Sequence, residues 1–598
     1  LPEGYKVEPW YNSDNGCFYG LDGMSENFCR IMDAHPPYVD PLEMLCGRWR
    51  DMLVNYRGDL HYLPEWRKAQ IKKEDLAGVT TQWSKRWDEK RFPYDDLKPL
   101  QKKYNIQSGI DSDAHFACDY EIGLSLGFGG FLKKIEKYRK INPDKKAFYD
   151  AEEKCVWAII RFIDRHIEEI RRLLEIEERP EIRENLQLML ETNLAIRMDP
   201  PKTFQQACQW VAYFNCASRI YTRDGAGFQL DIVLWPYYEN DVKNGILDDE
   251  KAKFLIANLL LIDPHYYQVS GVDAEDRDLT NHLSYLVLDA ADMLNTSINL
   301  TVRVHENCGK DFLKKAVYYL LKNKNGWPRF CYDRTLTEGF MKNEGVTKEI
   351  ARKRIAVGCN WLAVPGIEYP MNDTIKVNIA KVFEQALYDM EHEENKSTER
   401  LFELYNEHLK IAVDTVAKGV NLHIDHKAEV TPELIMNLMM KNTLEKGLDI
   451  SQCAELYTIG VDGAGLAVVA DSFGALSARV EQEKVLTWEI VYENLKNNFD
   501  GVQGERVRAI LSSAPKYCEG GTISDKWAER LTESWVNTVR SQKMPKNRQL
   551  VPGWFSWARA IEYGKEVGAT PNGRKAGEPI SHGANPNPRF RTDGAPTA

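Results

Sequence analysis

Ile355-Ala-Val-Gly-Cys-Asn-Trp-Leu-Ala-Val-Pro-Gly-Ile-Glu-Tyr-Pro-Met-Asn-Asp373 is the stretch on which the fold turns. Its first part, Arg354-Ile-Ala-Val-Gly358, is short and apolar and predicts a strand. Gly358 then lets the backbone turn sharply, so that Cys359, just beyond the strand, can point its thiol into a cavity. Spacing alone does not make that thiol chemical, because most buried cysteines are inert small hydrophobes.

Outward from this stretch, short apolar segments alternate with helices. Ala151 to Ile176 places Val156, Ile159, Ile160, Ile163, Ile167, Ile170 and Leu174 at helical spacing with Arg and Glu between them, and predicts a long amphipathic helix. Lys310 to Asn323 and Asp373 to His392 predict two more. Asn299-Leu-Thr-Val-Arg-Val-His305 alternates as a strand does. No repeat, low-complexity tract or clear linker interrupts the order. It suggests an α/β architecture around a central sheet or barrel, with the chemistry on loops at strand ends.

Composition narrows the function classes. The 598 residues are 43% apolar and 28% charged, and the longest apolar stretch, Phe254 to Ile262, is too short to span a bilayer. A net charge of −11, with acids and bases interleaved, argues against nucleic acid or anionic lipid as partner. An anionic ligand would need a local basic site. The 12 cysteines include no C-x-x-C and no cluster at zinc spacing, so neither a disulfide framework nor a structural metal site is expected, and reduced thiols in a cytoplasm fit best. The chain starts at Leu1, without signal-peptide character, and stops in loop-like Arg589 to Ala598, so further sequence at both ends is expected.

Several segments, in order, resemble the glycyl radical enzymes of the pyruvate formate-lyase family. They are Phe204-Gln-Gln-Ala, Gln229-Leu-Asp-Ile-Val-Leu-Trp-Pro-Tyr-Tyr-Glu-Asn-Asp241, Val269 to Ser284, Gly358-Cys-Asn with Pro365-Gly366, Asn378-Ile-Ala-Lys-Val382, Gly460 to Ser472 and Gly568 to Pro579. The resemblance implies a ten-stranded α/β barrel made of two antiparallel five-stranded half-barrels, surrounded by helices, with residues 1–598 forming one such domain. It implies that Cys359 receives a radical from a C-terminal glycine and, as a thiyl, abstracts hydrogen from substrate. Such a site must be closed and dry. A thiyl needs neither a lowered pKa nor a neighbouring base, so thiolate logic does not apply. The other eleven cysteines are expected to be structural.

Two departures from the family pattern matter. The R-V-x-G-aromatic radical loop is absent, since Val269-Ser-Gly-Val272 and Val551-Pro-Gly-Trp554 match other family segments. The glycyl radical is therefore expected on a missing C-terminal segment or a separate small subunit, installed by a radical S-adenosylmethionine activating enzyme, with no cofactor bound by this chain. Second, Trp361 stands where eliminating members carry a carboxylate base two residues after the cysteine. Asn360, in place of a second cysteine, makes acetyl transfer to coenzyme A unexpected.

The resemblance also marks polar candidates. Arg223 and Asp224 fall where glycerol dehydratase-like members contact substrate hydroxyls; an arginine fork there suits an anion, and the alternative is a surface turn before Gly225. Asp373 coincides with an aspartate that acts on a substrate hydroxyl, or caps the helix predicted after it. His115 lies near the region where the family offers a histidine, though a lone histidine is more often structural. Trp361, Trp554 and Trp557 lie in segments that line the family's cavity, or simply fill a large core. The glycines from Gly460 to Gly465 are expected in tight turns, since no phosphate-loop motif is present.

Together these residues suggest a radical lyase or dehydratase of an oxygenated, anionic small molecule, in an anaerobic cytoplasm and as a homodimer. The alternatives are carbon–carbon bond chemistry (decarboxylation or addition to fumarate), favoured by Trp361 replacing a base, and a radical-dead binding or scaffold homologue.

Overall fold

In the computed structural model the described residues are 20–47, 94–107, 117–221, 228–264, 266–296, 298–324, 326–358, 361–556 and 559–587. They divide into two compact units. The first comprises the described residues within 1–88, 111–370 and 424–457, the second those within 89–110, 371–423 and 458–598.

The first unit holds a four-stranded sheet, in the order β2 (Phe228–Gln229), β3 (Tyr267–Ser270), β4 (Leu300–Val304) and β5 (Arg329–Tyr332). All neighbours in it run parallel. They do so because each strand is followed by helix, among them Asp249–Ile262, His282–Leu294 and Lys310–Asn323, which returns the chain to the starting edge. The register aligns Gln229 with Gln268, Gln268 with Thr301, and Thr301 with Arg329. Side chains alternate between faces, so these four form one polar row, with Ser270 and Arg303 beside it. The opposite face is apolar. There Phe228 and Tyr267 stack edge-on at 6.0 Å, and Phe228 lies 4.4 Å from the ring of Tyr120 in the helix Tyr120–Ile141.

A hairpin of β6 (Ile355–Val357) and β7 (Trp361–Ala363) belongs to the same unit, with Ile355 opposite Ala363 and Val357 opposite Trp361. The long helix predicted from Ala151 is observed as Lys146–Ile176, and Lys310–Asn323 forms as its spacing predicts.

The second sheet has the order β1 (Ile106–Gln107), β8 (Glu368–Asn378), β9 (Leu456–Ala464) and β10 (Arg548–Trp554). Here two expectations are corrected. Asp373 to Asn378 is not the start of a helix: the β-branched Thr374, Ile375 and Val377 continue β8, and the helix is Ile379–Glu391. Its cap is Asn378, whose Oδ1 accepts from the Lys381 N–H at 3.2 Å, so Asp373 does not cap it. Gly460 to Ala464 is strand, not turn; only Gly465, at φ +102°, takes a left-handed conformation, and it does so as the cap of Leu466–Leu476. Gly463 serves another purpose, since a Cβ there would collide with the ring of Trp554.

The α/β class holds. Among the described residues the strands gather as four, four and two, rather than as two halves of five.

Candidate functional site

The hairpin β6–β7 brackets Cys359 and Asn360 between Gly358 and Trp361. Gly358 is buried at φ +66°, a conformation that glycine takes without strain. The strands on either side are apolar: Ile355, Val357 and Ala363 form a buried cluster with Ala117, and the half-buried Trp361 packs against it. The Gly366 N–H donates to the Ala117 carbonyl at 2.8 Å and ties the far side of the hairpin to the segment before the helix Tyr120–Ile141.

The polar row of the parallel sheet grips the hairpin from the other side. The Ala356 N–H donates to Gln268 Oε1 at 2.9 Å, while Gln268 Nε2 donates to the Arg354 carbonyl at 3.4 Å and to Gln229 Oε1 at 2.6 Å. Arg303 Nη1 donates to the carbonyls of Arg352 and Arg354 at 2.9 and 3.2 Å, and its Nε donates to the buried Asp333 at 2.6 Å. One nitrogen of Arg329 bridges Thr301 Oγ1 at 3.2 Å and the Gly358 carbonyl at 3.3 Å. At the opposite end, Glu368 accepts from the Val364 N–H at 2.7 Å.

A cavity of about 530 Å³ opens in the same unit beyond the carboxyl ends of β2 and β3, lined by Cys118, Gln229, Val272, Asp273, Arg277 and Ile355 among others. It meets the hairpin at Ile355 and Pro365, the end away from Gly358. Burial, reinforced by Asp119 and Glu433, pushes the Cys118 thiol well up, so its sulfur stays protonated. Nearby Asp231 is fully buried. Burial raises its carboxyl to about 6, against the opposing hydrogen bonds from the Ser270 N–H at 2.7 Å and from Ser284 Oγ.

Of the residues singled out from the sequence, Cys359, Asn360, His115, Arg223, Asp224 and Trp557 lie outside the described residues. Asp373 is placed in the backbone of β8, with its side chain outside them as well. Trp361 opens β7 in the first unit. Trp554 ends β10 in the second, its ring over Gly463 and 5.6 Å from that of Trp535. Sequence reasoning missed Gln268, Arg303 and Arg329. The available signal was Leu300-Thr-Val-Arg-Val304, where Thr301 and Arg303 interrupt the continuous apolar run that a buried parallel strand ordinarily shows. Among the described residues no group of three or more His, Cys, Asp or Glu is placed to hold a metal, and no helix is long and apolar enough to cross a membrane.

A family model described as pyruvate formate lyase-like matches residues 6–564. The chain belongs to that family. Within the pyruvate formate lyase-like proteins it is 24% identical to trans-4-hydroxy-L-proline dehydratase of Clostridioides difficile, over 90% of this chain and 72% of that one. It is 26% identical to isethionate sulfite-lyase of Nitratidesulfovibrio vulgaris, over 84% and 67%. The fold is that of a solved structure concerned with 1,2-propanediol dehydration in Roseburia inulinivorans, with a TM-score of 0.84 at 19% identity, covering 98% of this chain and 82% of the other. The glycyl radical lyase or dehydratase inferred from the motifs is the class to which these relatives belong.

Proposed function

We propose that the protein eliminates a leaving group from an oxygenated, anionic small molecule, with Cys359 as the hydrogen-abstracting thiyl. The observation that carries this reading is the setting of the cysteine's neighbours: Gly358 and the strands β6 and β7 are held in a buried hairpin of a pyruvate formate lyase-like chain. Relatives named for hydroxyproline and isethionate support a substrate bearing both a hydroxyl group and an anion.

A glycyl radical, once supplied to the site, provides the one-electron oxidation of the thiol. The sulfur of Cys359 then takes a hydrogen atom from a substrate carbon, giving S–H and a carbon radical. The bond to the neighbouring leaving group breaks as water or sulfite departs, and the product radical recovers hydrogen from the S–H. Arg223 is assigned to the anionic group, and Asp373 with His115 to the proton that moves with the leaving group. Asp224, Asn360, Trp361 and Trp554 are assigned to shaping the substrate's surroundings.

The reading brings with it a ten-stranded barrel over residues 1–598, a radical S-adenosylmethionine activating enzyme as partner, a glycine supplied by further sequence or a small subunit, a homodimer, and an anaerobic cytoplasm. The test is turnover of trans-4-hydroxy-L-proline, isethionate and related hydroxy-sulfonates by anaerobically purified full-length protein, co-expressed with its activating enzyme. Cys359→Ser is expected to lose activity by at least roughly 10³-fold, since the abstraction step has no substitute; turnover surviving that change overturns the reading. Trp361 in place of a carboxylate favours carbon–carbon bond chemistry as a second reading, which release of carbon dioxide or consumption of fumarate without elimination would establish.

A further inference from the structure

Among the described residues, strand β6 pairs with a strand, β7, along one edge only. Along the other edge, side chains reaching up from the polar row bond alternate residues from the end of the preceding helix through the strand: the carbonyls of Arg352 and Arg354, the N–H of Ala356 and the carbonyl of Gly358. Arg303, Gln268 and Arg329 thus hold this edge as a neighbouring strand would. A backbone ladder can slip by two residues and keep its hydrogen bonds. A ladder of three different side chains cannot, because its one N–H rung, at Ala356, lies between carbonyl rungs and each side chain is itself anchored. Arg303 is fixed by Asp333, Gln268 by Gln229, and Arg329 by Thr301.

We infer that this ladder sets the register of β6, and that Arg329 is a positioning residue for Cys359, acting through the carbonyl of Gly358, the residue bonded to it. The inference rests on the reading of Cys359 as the reacting thiol for its catalytic consequence, but not for its structural one. Arg329 is suited to the last rung, since a guanidinium offers several donors in a rigid fork and can hold two oxygens from fixed directions. Hydrogen abstraction needs the reacting atoms within a few tenths of an ångström of their productive distance. Loosening the residue before the thiol therefore slows the chemical step more than it weakens substrate binding.

The experiment is hydrogen–deuterium exchange on the full-length protein, together with kinetics of the activated enzyme on whichever of trans-4-hydroxy-L-proline or isethionate it turns over. For Arg329→Met, exchange over residues 355–363 is expected to rise roughly tenfold while peptides of β8 to β10 keep their parent rates. The kcat is expected to fall roughly tenfold with KM within twofold of the parent. Arg329→Lys, which retains a donor, recovers part of both losses. Thr301→Val removes the anchoring oxygen at nearly constant volume, and is expected to show a smaller rise confined to the same peptide; it serves as the probe where Arg329→Met does not fold. Parent-like exchange in the hairpin of both variants, or a loss expressed in KM alone, overturns the inference. Cys359→Ser separates the two claims: it should abolish turnover while leaving hairpin exchange at the parent rate, so activity surviving in it removes the proposed chemistry and leaves the ladder standing.

Discussion

The ammonium of Lys376 lies 3.2 Å from a carboxylate oxygen of Asp462, and both side chains are sealed from solvent. The two residues sit on the adjacent strands β8 and β9, and the Lys376 Nζ is also 5.2 Å from the centre of the Phe555 ring. A buried pair is costly to break from one side, because the remaining charge keeps its desolvation penalty without its partner. Lys376→Met is expected to destabilise the protein by about 3–5 kcal/mol. Lys376→Met combined with Asp462→Leu should recover much of that loss. Urea unfolding of the parent, both single variants and the double variant checks the pair, and a double variant as weak as the sum of its parts would contradict it.

Gly463 is required for space rather than for its dihedral freedom. Gly463→Ala would press a methyl group into the Trp554 ring, and overpacking of this kind costs about 1–3 kcal/mol. The Trp554 ring also lies close to Trp535, whose Nε1 donates to the Gly553 carbonyl at 3.2 Å, so its displacement should change the tryptophan emission. An unchanged spectrum and an unchanged urea midpoint would show that the ring has room to yield.

Asp231 gives the stability a definite slope with pH. Its carboxyl rises from an ordinary 3.8 to about 6 in the folded protein, because burial penalises the charged form more than its hydrogen bonds favour it. Between those two values the folded state holds a proton that the unfolded state has released. The associated stabilisation, about 3 kcal/mol, is complete below pH 3.8 and gone above pH 6. Asp231→Asn should flatten the stability profile over that window, measured as the difference from the parent at each pH; a parallel offset without a change in slope would assign the titration elsewhere.

Cys118 lines the cavity, yet its thiol is held in the protonated form by burial. Alkylation with iodoacetamide at pH 8 should leave it unmodified in the folded protein and modify it in urea, followed by peptide mass spectrometry. Modification of the folded protein at the rate of an exposed cysteine would mean that the cavity admits the reagent and that the sulfur ionises there.

What the sequence made legible was local. The helix Lys146–Ile176 follows from a 3.6-residue period sustained over many turns, and β4 and β6 follow from short apolar or alternating runs. The boundary at Asn378 was misplaced because Asp373 to Val377 alternates weakly, and a polar residue that caps a helix looks like one inside it. The family motifs point to Cys359, but nothing in them reveals Gln268 or Arg329, whose contacts join residues far apart in the chain through the register of one strand on the next. Gly463 shows the same limit from the other direction. A glycine in a run of glycines suggests a turn until the ring that needs its space is known.

The two faces of the parallel sheet have different duties, and this bears on how such a scaffold can diversify. The apolar face carries the burial that keeps the unit folded, while the opposite face spends its side chains on holding a strand in place. Because alternate residues of the same strands serve the two faces, a substitution at one position leaves the neighbouring duty nearly untouched. Stability and the register of β6 can thus drift independently within a stretch only a few residues long.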